Sequence, residues 1–401
     1  MKIDLYDKKR LGIYVHVPFC ISKCAYCEFN SFVPKSELIT ADYVDAVISH
    51  MEDYREAGKG YVADSVYIGG GTPTALPQKE LKKLLTAVGR NFDVSKKAEF
   101  TVEANPGTVD LSYFKMMRRC GVNRISMGLQ SADNRELAAL SRCHTRQEFA
   151  DSFMLARQAG FDNISVDLMF GIPGQTVESL LKSLAFVMRM EPEHISLYNL
   201  KIEPGTPFYE NRDELKALLP SEEIEFEMYR AAIAAMEKRG YMQYEISNFA
   251  RFGYRCLHNL KYWNCEEYLG FCVSAHSYFN SNRFAFIDSV DRYIAAVKDK
   301  NSPVRITKES ETVEARERMG EYIMLRFRLT DGIGSVDFAR RFGVSFESLY
   351  GRRIEKYVRD GFIEKREGSY ALTPAGMFVS NYILSDILEF EDLGAVTGNI
   401  T

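Results

Sequence analysis

The sequence predicts an α/β fold, namely a partial barrel of six strand–helix units followed by a small α+β domain at its carboxyl end. Three observations lead to this prediction. Short apolar stretches alternate with amphipathic ones from residue 12 to about 200. Polar and glycine residues follow the apolar stretches. From residue 312 onward, helical patterns are followed by a hairpin pattern. Runs of strand–helix units form parallel sheets covered by helices.

The predicted strands are rich in Val, Ile, Tyr and Phe and are bounded by Gly, Pro or Asn, as is typical of buried parallel strands. They span residues 13–17, 65–68, 99–103, 124–129, 164–169 and 194–200. The helices predicted between them include residues 42–54, 78–88, 146–158 and 177–190. The pattern predicts a partial TIM-type barrel with chemistry at the carboxyl ends of its strands. It does not determine closure or strand order.

Three segments are predicted. Residues 1–205 form the partial barrel, residues 206–310 complete the core, and residues 311–401 form a winged-helix-like α+β domain. The middle segment contains a long helix at 222–239 and the aromatic stretch HNLKYW. The last contains helices at 313–325, 335–341 and 345–360 and a hairpin at 363–372. It lacks a dominant basic stripe, which favours a packing domain over a DNA-binding one.

Composition and charge narrow the function classes. A net charge of -4 gives no electrostatic reason to expect nucleic acid or an anionic membrane as a partner. No stretch approaches the roughly 18 uncharged apolar residues that a membrane span needs. The first residues, MKIDLYDKKR, carry both charge signs and predict no signal peptide. We expect a cytoplasmic protein, with an organelle matrix left open, whose eight cysteines are thiols or metal ligands.

The stretch CISKCAYCEFN places Cys20, Cys24 and Cys27 in one loop after the first predicted strand. Zinc is one interpretation, with His16 as fourth ligand, but structural zinc sites usually draw ligand pairs from separate loops. A [4Fe–4S] cluster is another, and three thiolates would leave one iron open to a small molecule. Three unrelated buried thiols are the remaining interpretation, which this close spacing disfavours.

Polar residues also follow the other predicted strands. The run Gly69-Gly70-Gly71-Thr72 follows the second strand, and Glu103 and Gln130 end the third and fourth. Asp167 lies within the fifth, and Arg142 follows the fourth in SRCHT. An acidic residue at the end of an apolar strand is costly unless it is paired, so a ligand partner is one explanation and an ordinary ion pair the other. Tight turns alone would also explain the glycines.

The cysteine stretch resembles the signature of the radical S-adenosylmethionine (radical SAM) superfamily, with Tyr26 as its aromatic residue. The wider set resembles the oxygen-independent coproporphyrinogen III oxidase family, and within it the HemW branch of haem chaperones, over nearly the whole chain. That set is YVHVPFCISKCAYCEFN, GGGTPT, EANPG, GLQS, SRCHT, DLMFGIPGQT, YEISNFA and HNLKYW. The resemblance implies the radical SAM fold, a cluster held by the three cysteines, and S-adenosylmethionine on the open iron, from which the cluster generates a 5′-deoxyadenosyl radical.

The resemblance also assigns residues. Positions that match S-adenosylmethionine-binding residues of the oxidase are Tyr14, Tyr26, Gly70, Gly71, Thr72, Glu103, Gln130, Arg142 and Asp167. Whether one or two molecules bind is left open. His258, in HNLKYW, matches the HNxxYW motif of haem chaperones and implies a haem ligand, with a core histidine as the alternative. The chain departs from the oxidase at Phe29, where that enzyme carries a fourth cysteine, and from the family at Cys272, where a glycine is usual.

These features predict a haem chaperone that delivers haem to acceptor proteins. Oxygen-independent coproporphyrinogen III oxidase activity is the alternative, followed by another radical SAM reaction such as methylation, so enzymatic activity stays open. A zinc-dependent DNA-binding protein is a remote reading. The expected partners are haem, acceptor proteins that include a membrane-associated client, and an electron donor such as flavodoxin or ferredoxin. A homodimer is among the states left open. Cys256, Cys265 and Cys272 are expected to be small buried residues rather than a second thiolate site or an axial haem ligand.

Overall fold

The parallel strands predicted from the sequence form the middle of a twelve-stranded mixed sheet in a computed structural model, which describes residues 8–299 and 304–388. The first six strands are β1 (Lys9–Val17), β2 (Tyr61–Gly70), β3 (Val94–Ala104), β4 (Arg124–Gln130), β5 (Ile164–Phe170) and β6 (His194–Asn199). They lie side by side in chain order, and every neighbouring pair is parallel. All six predicted strands are therefore confirmed.

Six short strands extend both edges of this parallel core. They are β7 (Met242–Gln243), β8 (Asn248–Ala250), β9 (Tyr268–Phe271), β10 (His276–Phe279), β11 (Asn282–Phe286) and β12 (Thr307–Thr312). The spatial order is β12-β11-β10-β9-β1-β2-β3-β4-β5-β6-β8-β7. β9 runs parallel to β1, and β8 runs antiparallel to β6. Within the described ranges the two ends of the sheet do not pair, so the barrel is partial.

The helices cover the outer face of the sheet and build the carboxyl-terminal part. In the first half they are α1 (Glu37–Asp53), α2 (Gln78–Asn91), α3 (Leu111–Arg119), α4 (Asn134–Ala139), α5 (Arg146–Gln158), α6 (Val177–Arg189), α7 (Pro207–Glu210) and α8 (Arg212–Leu215). The later ones are α9 (Glu222–Glu237), α10 (Leu257–Trp263), α11 (Val290–Lys298), α12 (Ala315–Arg326), α13 (Ser335–Phe342), α14 (Phe346–Arg359), α15 (Pro374–Phe378) and α16 (Ser380–Ile387). Single 3₁₀ turns lie at Ala57–Gly60 and Pro73–Ala75.

The two faces of the parallel strands differ in chemistry. On β3, Phe100 and Val102 belong to the main hydrophobic core, whereas Glu99, Thr101 and Glu103 alternate with them on the other face. Side chains two residues apart share a face of a strand. The inward face of the barrel is therefore polar, and the outward face packs apolar side chains against the helices.

The carboxyl-terminal part has the predicted winged-helix-like form. Helices α13 and α14 pack beside a three-stranded sheet of β13 (Ile333–Gly334), β14 (Ile363–Arg366) and β15 (Ser369–Leu372), in the order β13-β15-β14. It contacts the barrel just after HNLKYW, where Nη1 of Arg326 donates to Oδ1 of Asn264 at 2.6 Å. The three segment boundaries proposed from the sequence stay predictions. In residues 8–299 and 304–388, no helix has the length and hydropathy to cross a membrane.

The stretch HNLKYW forms most of α10 and is held by a buried carboxylate of β3. The backbone N–H groups of Leu257 and His258 donate to the two carboxylate oxygens of Glu99 at 3.0 and 3.1 Å. The Arg124 guanidinium is buried beside them and donates to Thr101 at 3.5 Å. A buried charge is tolerated when it is paired and hydrogen-bonded, as Glu99 is here.

Replacing Glu99 with glutamine tests this anchor. The Glu99→Gln variant removes the charge next to Arg124. It also replaces the two carboxylate oxygens that accept from the backbone N–H groups with an amide, which has only one accepting oxygen. Leaving a buried N–H group without its acceptor costs about 1–3 kcal/mol, so the free energy of unfolding measured with urea should fall by that amount. The control, Glu309→Gln on the exposed strand β12, should stay within about 0.5 kcal/mol of wild type. Equal stability of both variants would contradict the anchor.

Candidate cofactor site

A cavity of about 430 Å³ opens at the carboxyl ends of the parallel strands. It lies where open α/β folds and barrels place their ligands. Eleven of the residues predicted from the sequence line it. They are Cys20, Cys24, Tyr26, Cys27, Gly70, Gly71, Thr72, Glu103, Gln130, Arg142 and Asp167. The structure thus brings together residues spread over nearly 150 positions of the sequence, because parallel strands deliver their carboxyl ends to one edge.

The cysteine loop is fixed by its backbone. Cys20 N–H donates to the Phe32 carbonyl at 3.0 Å, and Phe32 N–H donates to the Pro18 carbonyl at 2.9 Å, which ties the two ends of the loop together. Farther along, the Phe208 N–H donates to the Ala25 carbonyl at 3.0 Å. All three cysteines are free thiols, and burial raises the pKa of Cys20 and of Cys27. A bound cation or cluster would offset that cost by stabilising the thiolates.

The geometry around the thiols bears on the zinc interpretation. Among the described residues, no three His, Cys, Asp or Glu side chains converge closely enough to hold one metal ion. The cysteine ligands of a [4Fe–4S] cluster bind different iron atoms and so stand farther apart than ligands of one ion. His16, the fourth ligand of the zinc interpretation, has both ring nitrogens engaged, by the Tyr14 hydroxyl and the Asn30 carbonyl, each at 3.0 Å.

The glycine run brings β2 close to the cysteine loop. Gly70 has φ of +112°, and a Cβ there would lie 2.5 Å from Nδ1 of His16. A Cβ on Gly71 would lie 3.0 Å from the Cys20 sulfur and 2.8 Å from the Phe19 carbonyl oxygen. A side chain at Gly70 would clash with His16 on β1, and one at Gly71 would clash with the cysteine loop, which explains why glycine stands at both positions. Thr72 adds a contact from its hydroxyl to the Cys20 sulfur at 3.7 Å.

Glu103 is a partly buried acid with two donors at the edge of the cavity. The Tyr67 hydroxyl donates to one carboxylate oxygen at 2.8 Å, and Gly70 N–H donates to the other at 3.1 Å. Burial outweighs these donors and raises the pKa of Glu103 to about 7. Asp167 is also partly buried, with Ser126 donating to it at 3.3 Å, and the loss of solvent raises its pKa. Two acids of this kind in one cavity are typical of a site for a cationic or hydroxyl-bearing ligand.

Arg142 joins the cysteine loop to the strand ends. Its Nη1 lies 3.4 Å from the Cys24 sulfur, and its Nη2 donates to Oδ1 of Asn105 at 3.0 Å and to the Gly128 carbonyl at 2.9 Å. Its Nε is buried without a hydrogen-bond partner among the described residues. Gln130 ends β4 in the left-handed region, with φ of +71°. An unpaired buried donor and a non-glycine residue in this region are both features found at ligand sites.

Two predicted site residues lie elsewhere. Tyr14 lies behind Gly70 and Glu103, in a neighbouring cleft. His258 is only 1% exposed, and its ring nitrogens pair with the Ser65 and Tyr262 hydroxyls at 2.9 and 2.8 Å. Burial lowers the pKa of His258 to about 3. In this arrangement neither nitrogen is free to bind iron, so a haem-ligand role for His258 stays a prediction that the observed geometry does not favour.

Of the three cysteines expected to be small buried residues, Cys256 and Cys272 are buried and Cys265 is partly buried. Cys256 and Cys272 are fully buried, and burial raises the pKa of Cys256 to about 12 and of Cys265 to about 11. Cys272 has φ of +94°. The departure from glycine at this position therefore places a side chain on a backbone that favours glycine, at a cost of order 1–3 kcal/mol.

The sequence did not single out several residues that complete the cavity. Asn105 donates to the Thr72 hydroxyl at 2.7 Å and accepts from Arg142, and Ser126 supports Asp167. Tyr67 supports Glu103. Tyr67 and Ser126 face inward because they follow strict alternation along β2 and β4, which is the signal that would have found them. Asn105 follows the end of β3 and carries no such signal.

The parallel partial barrel and the cysteine-lined cavity at its top define a radical SAM protein, and comparison with known proteins agrees. Residues 14–187 match the Radical SAM superfamily, and residues 313–379 match the HemN C-terminal domain. That superfamily implies a [4Fe–4S] cluster and S-adenosylmethionine. The fold resembles the solved coproporphyrinogen III oxidase (HemN) from Escherichia coli, with a TM-score of 0.83, 22% identity, and coverage of 96% of this chain and 91% of that one.

Curated relatives define the family more closely. The chain is 36% identical to "Heme chaperone HemW" of Bacillus subtilis (strain 168), over 94% of this chain and 98% of the relative. It is 32% identical to the protein of the same name in Escherichia coli (strain K12), over 93% of this chain and 97% of the relative. The chain therefore belongs to the HemW family.

Removing one loop cysteine tests the cluster ligands. In Cys24→Ser, anaerobic reconstitution should leave iron and sulfide content near background and abolish the [4Fe–4S] absorbance, because a hydroxyl replaces a thiolate ligand. The control is Cys143→Ser, which alters an exposed cysteine outside the cavity lining and should bind a full complement of iron. A cluster spectrum retained in Cys24→Ser would contradict the assignment.

The raised pKa of Glu103 predicts a pH-dependent stability. The folded chain holds a proton up to about pH 7, whereas the ordinary glutamate value is 4.5. Stability from this group is therefore present at low pH and is lost as pH rises from about 4.5 to about 7. The unfolding free energy of Glu103→Gln minus that of wild type should therefore rise by about 2–3 kcal/mol from about pH 5 to about pH 8. Urea titrations at both pH values measure this. A constant difference would argue against a buried neutral acid.

Proposed function

We propose that this chain is a haem chaperone of the radical SAM type, which binds haem and transfers it to acceptor proteins. The observation that carries the proposal is the full-length similarity to relatives named heme chaperones, over 94% and 93% of the chain. This similarity includes the segment with HNLKYW and the carboxyl-terminal domain. A shared cofactor loop alone would not extend that far.

The proposed cofactor residues are those of the cavity. Cys20, Cys24 and Cys27 would hold the cluster, and the groups around Glu103 and Arg142 would hold S-adenosylmethionine. When bound, these cofactors supply one-electron chemistry that yields a 5′-deoxyadenosyl radical. The carboxylates of Glu103 and Asp167 suit hydroxyl and ammonium groups, and the guanidinium of Arg142 suits a carboxylate. The support is their convergence on one cavity, in which they line the same space as the three thiols.

A second candidate function is oxidative decarboxylation of coproporphyrinogen III. The complete cavity favours it, because a carrier that never uses radical chemistry has no need of converging acids, an arginine and a cluster loop. Phe29 argues against it. This side chain stands where the oxidase carries its fourth cysteine, and it is 60% exposed at the cavity mouth. Methylation or another radical SAM reaction is compatible with the same cavity.

The remaining partners follow from this proposal. The chain would need a haem-acceptor protein, including a membrane-associated client, and a reductant such as flavodoxin or ferredoxin for its cluster. All eight cysteines are free thiols, in keeping with the reducing cytoplasm that we propose as its location. Nucleic acid is not among the proposed partners, and a homodimer is compatible with them.

Haem titration of the anaerobically reconstituted chain tests the proposal. A saturable Soret shift with about one haem per chain is expected, because a chaperone must hold its cargo in solution. In parallel, coproporphyrinogen III, S-adenosylmethionine and a reductant should yield no protoporphyrinogen in pigment analysis.

The two assays separate the candidate functions. Absence of any haem-dependent Soret change would refute the chaperone proposal. Protoporphyrinogen formation that requires S-adenosylmethionine and disappears in Cys24→Ser would instead establish the oxidase. The Cys24→Ser chain also shows whether haem binding needs the cluster.

A further inference from the structure

A groove of about 520 Å³ lies between α5 and α6 on the outer face of the barrel, and we call it the α5–α6 groove. None of the residues proposed to bind the cofactors lines it. Its lining includes three cations, which are Arg146 of α5 and Lys182 and Arg189 of α6, and one acid, Asp133. On a chain with a net charge of -4, this groove is a locally basic surface.

The acid in the lining is already neutralised from within the chain. Asp133 accepts from Nε and Nη2 of Arg135 at 3.2 and 2.8 Å. Lys182 pairs with Glu178 at 2.7 Å, but both side chains are largely exposed, and an exposed ion pair of this kind contributes only about 0–1 kcal/mol. The other two cations of the groove have no acidic partner in the part of the chain that the structure describes. The groove therefore presents an excess of positive charge to solvent.

The cations form a row rather than a cluster. Along α6, the residues Ser179, Lys182, Phe186 and Arg189 recur at intervals of three and four, which places them on one stripe of the helix. Lys182 and Arg189 are therefore about 10 Å apart along the helix axis. One phosphate cannot bridge that span, whereas separate carboxylates of an acidic protein surface can. The Arg146 guanidinium lies over the Phe186 ring at 5.6 Å, and arginine and aromatic side chains are enriched in protein interfaces.

A buried carboxylate fixes α4 against α6 beside the groove. Glu136 of α4 accepts from the hydroxyls of Ser131 and Ser179, each at 2.6 Å, and from Nε2 of Gln175 at 3.0 Å. These bonds set the geometry of the groove before any partner arrives. A preformed surface avoids part of the ordering cost of association.

Helix α4 joins the groove to the cysteine loop. It begins at Asn134, which lines the groove, and is followed by Leu140, whose carbonyl accepts the N–H of Ala25 at 3.3 Å. The six residues of α4 span about 9 Å. Arg142, which follows, lies 3.4 Å from the Cys24 sulfur. A protein seated in the groove would therefore lie close to the loop that carries the proposed cluster ligands.

We propose that the α5–α6 groove docks the carboxylate-rich face of a small acidic electron-carrier protein, with Arg146, Lys182 and Arg189 as its contacts. The inference rests on the proposed function, which includes a reductant for the cluster, and it names the surface where that reductant binds. In the docked pair one electron leaves the reduced carrier and enters the cluster, and no covalent bond forms or breaks. Complementary charge chiefly speeds association, and salt weakens it.

The decisive experiment is a binding titration of flavodoxin, an acidic one-electron carrier, against the reconstituted full chain and three variants. The double variant Lys182→Glu/Arg189→Glu should bind at least about tenfold more weakly than wild type, equivalent to about 1.4 kcal/mol. The matched control is Arg352→Glu/Arg359→Glu, whose two exposed arginines are also seven residues apart on a helix, α14, and it should bind as wild type does. Lys182→Arg/Arg189→Lys keeps both charges and should also bind as wild type does.

Reduction of the cluster supplies a second readout. Reduced flavodoxin, below saturation, should reduce the cluster of Lys182→Glu/Arg189→Glu more slowly than that of wild type. Dithionite, a small reductant that needs no docking surface, should reduce all four chains at one rate, and equal iron content shows that each chain is folded with its cluster. Added salt should slow the flavodoxin reaction of wild type and change that of this variant little.

Each result decides for or against the groove. Equal loss of affinity in both charge-reversal variants would reflect net charge alone and overturn the proposal, as would unchanged affinity in both. Failure of wild type to bind either flavodoxin or ferredoxin overturns it too. Displacement of flavodoxin by inorganic phosphate at constant ionic strength would assign the groove to a small anion and overturn it. A haem titration separates the two proposals, because docking without haem binding refutes the chaperone alone, and haem binding without docking refutes the groove alone.

Discussion

Two carboxylates on the inward face of β3, the buried Glu99 and the partly buried Glu103, hold the functional part of the molecule in place. Glu99 accepts the N–H groups that begin α10, and Glu103 accepts the N–H of Gly70 and the hydroxyl of Tyr67. A buried carboxylate without donors is costly, so each one fixes the element that supplies its donors. The HNLKYW helix is thereby tied to one end of the barrel interior, and the glycine run to the other.

Tyr67 connects these two ends. Its ring stacks on that of His258, with centroids 5.4 Å apart, while its hydroxyl reaches Glu103. Through Tyr67, HNLKYW is thus linked to the cofactor cavity by contacts between protein side chains alone. The histidine has a structural reason to be where it is, because its ring nitrogens pair with the hydroxyls of Ser65 and Tyr262.

Much of the fold could be predicted because long buried strands leave a strong pattern. The helix at 146–158 begins and ends at the predicted residues, and the predicted strand at 164–169 gains one residue. The strands β7 and β8 have two and three residues, too few to show alternation, and their pairing depends on distant partners. The same limit applied to the site. The cysteine loop carried a local spacing, whereas Asn105 became recognisable only when its neighbours in space were known.

The sequence by itself determined the parallel core, the cysteine loop and the residues at the strand ends, because strand period, loop spacing and glycine runs are local properties. Tertiary structure alone decided which side chains are available. It buried His258 between Ser65 and Tyr262, left His276 open, and set Tyr14 behind the wall of the cofactor cavity. Accessibility depends on packing between segments far apart in the chain, here β2, α10 and β10. No local sequence pattern encodes such packing. A buried and an accessible histidine therefore look the same in the sequence and are distinguished only by the tertiary structure.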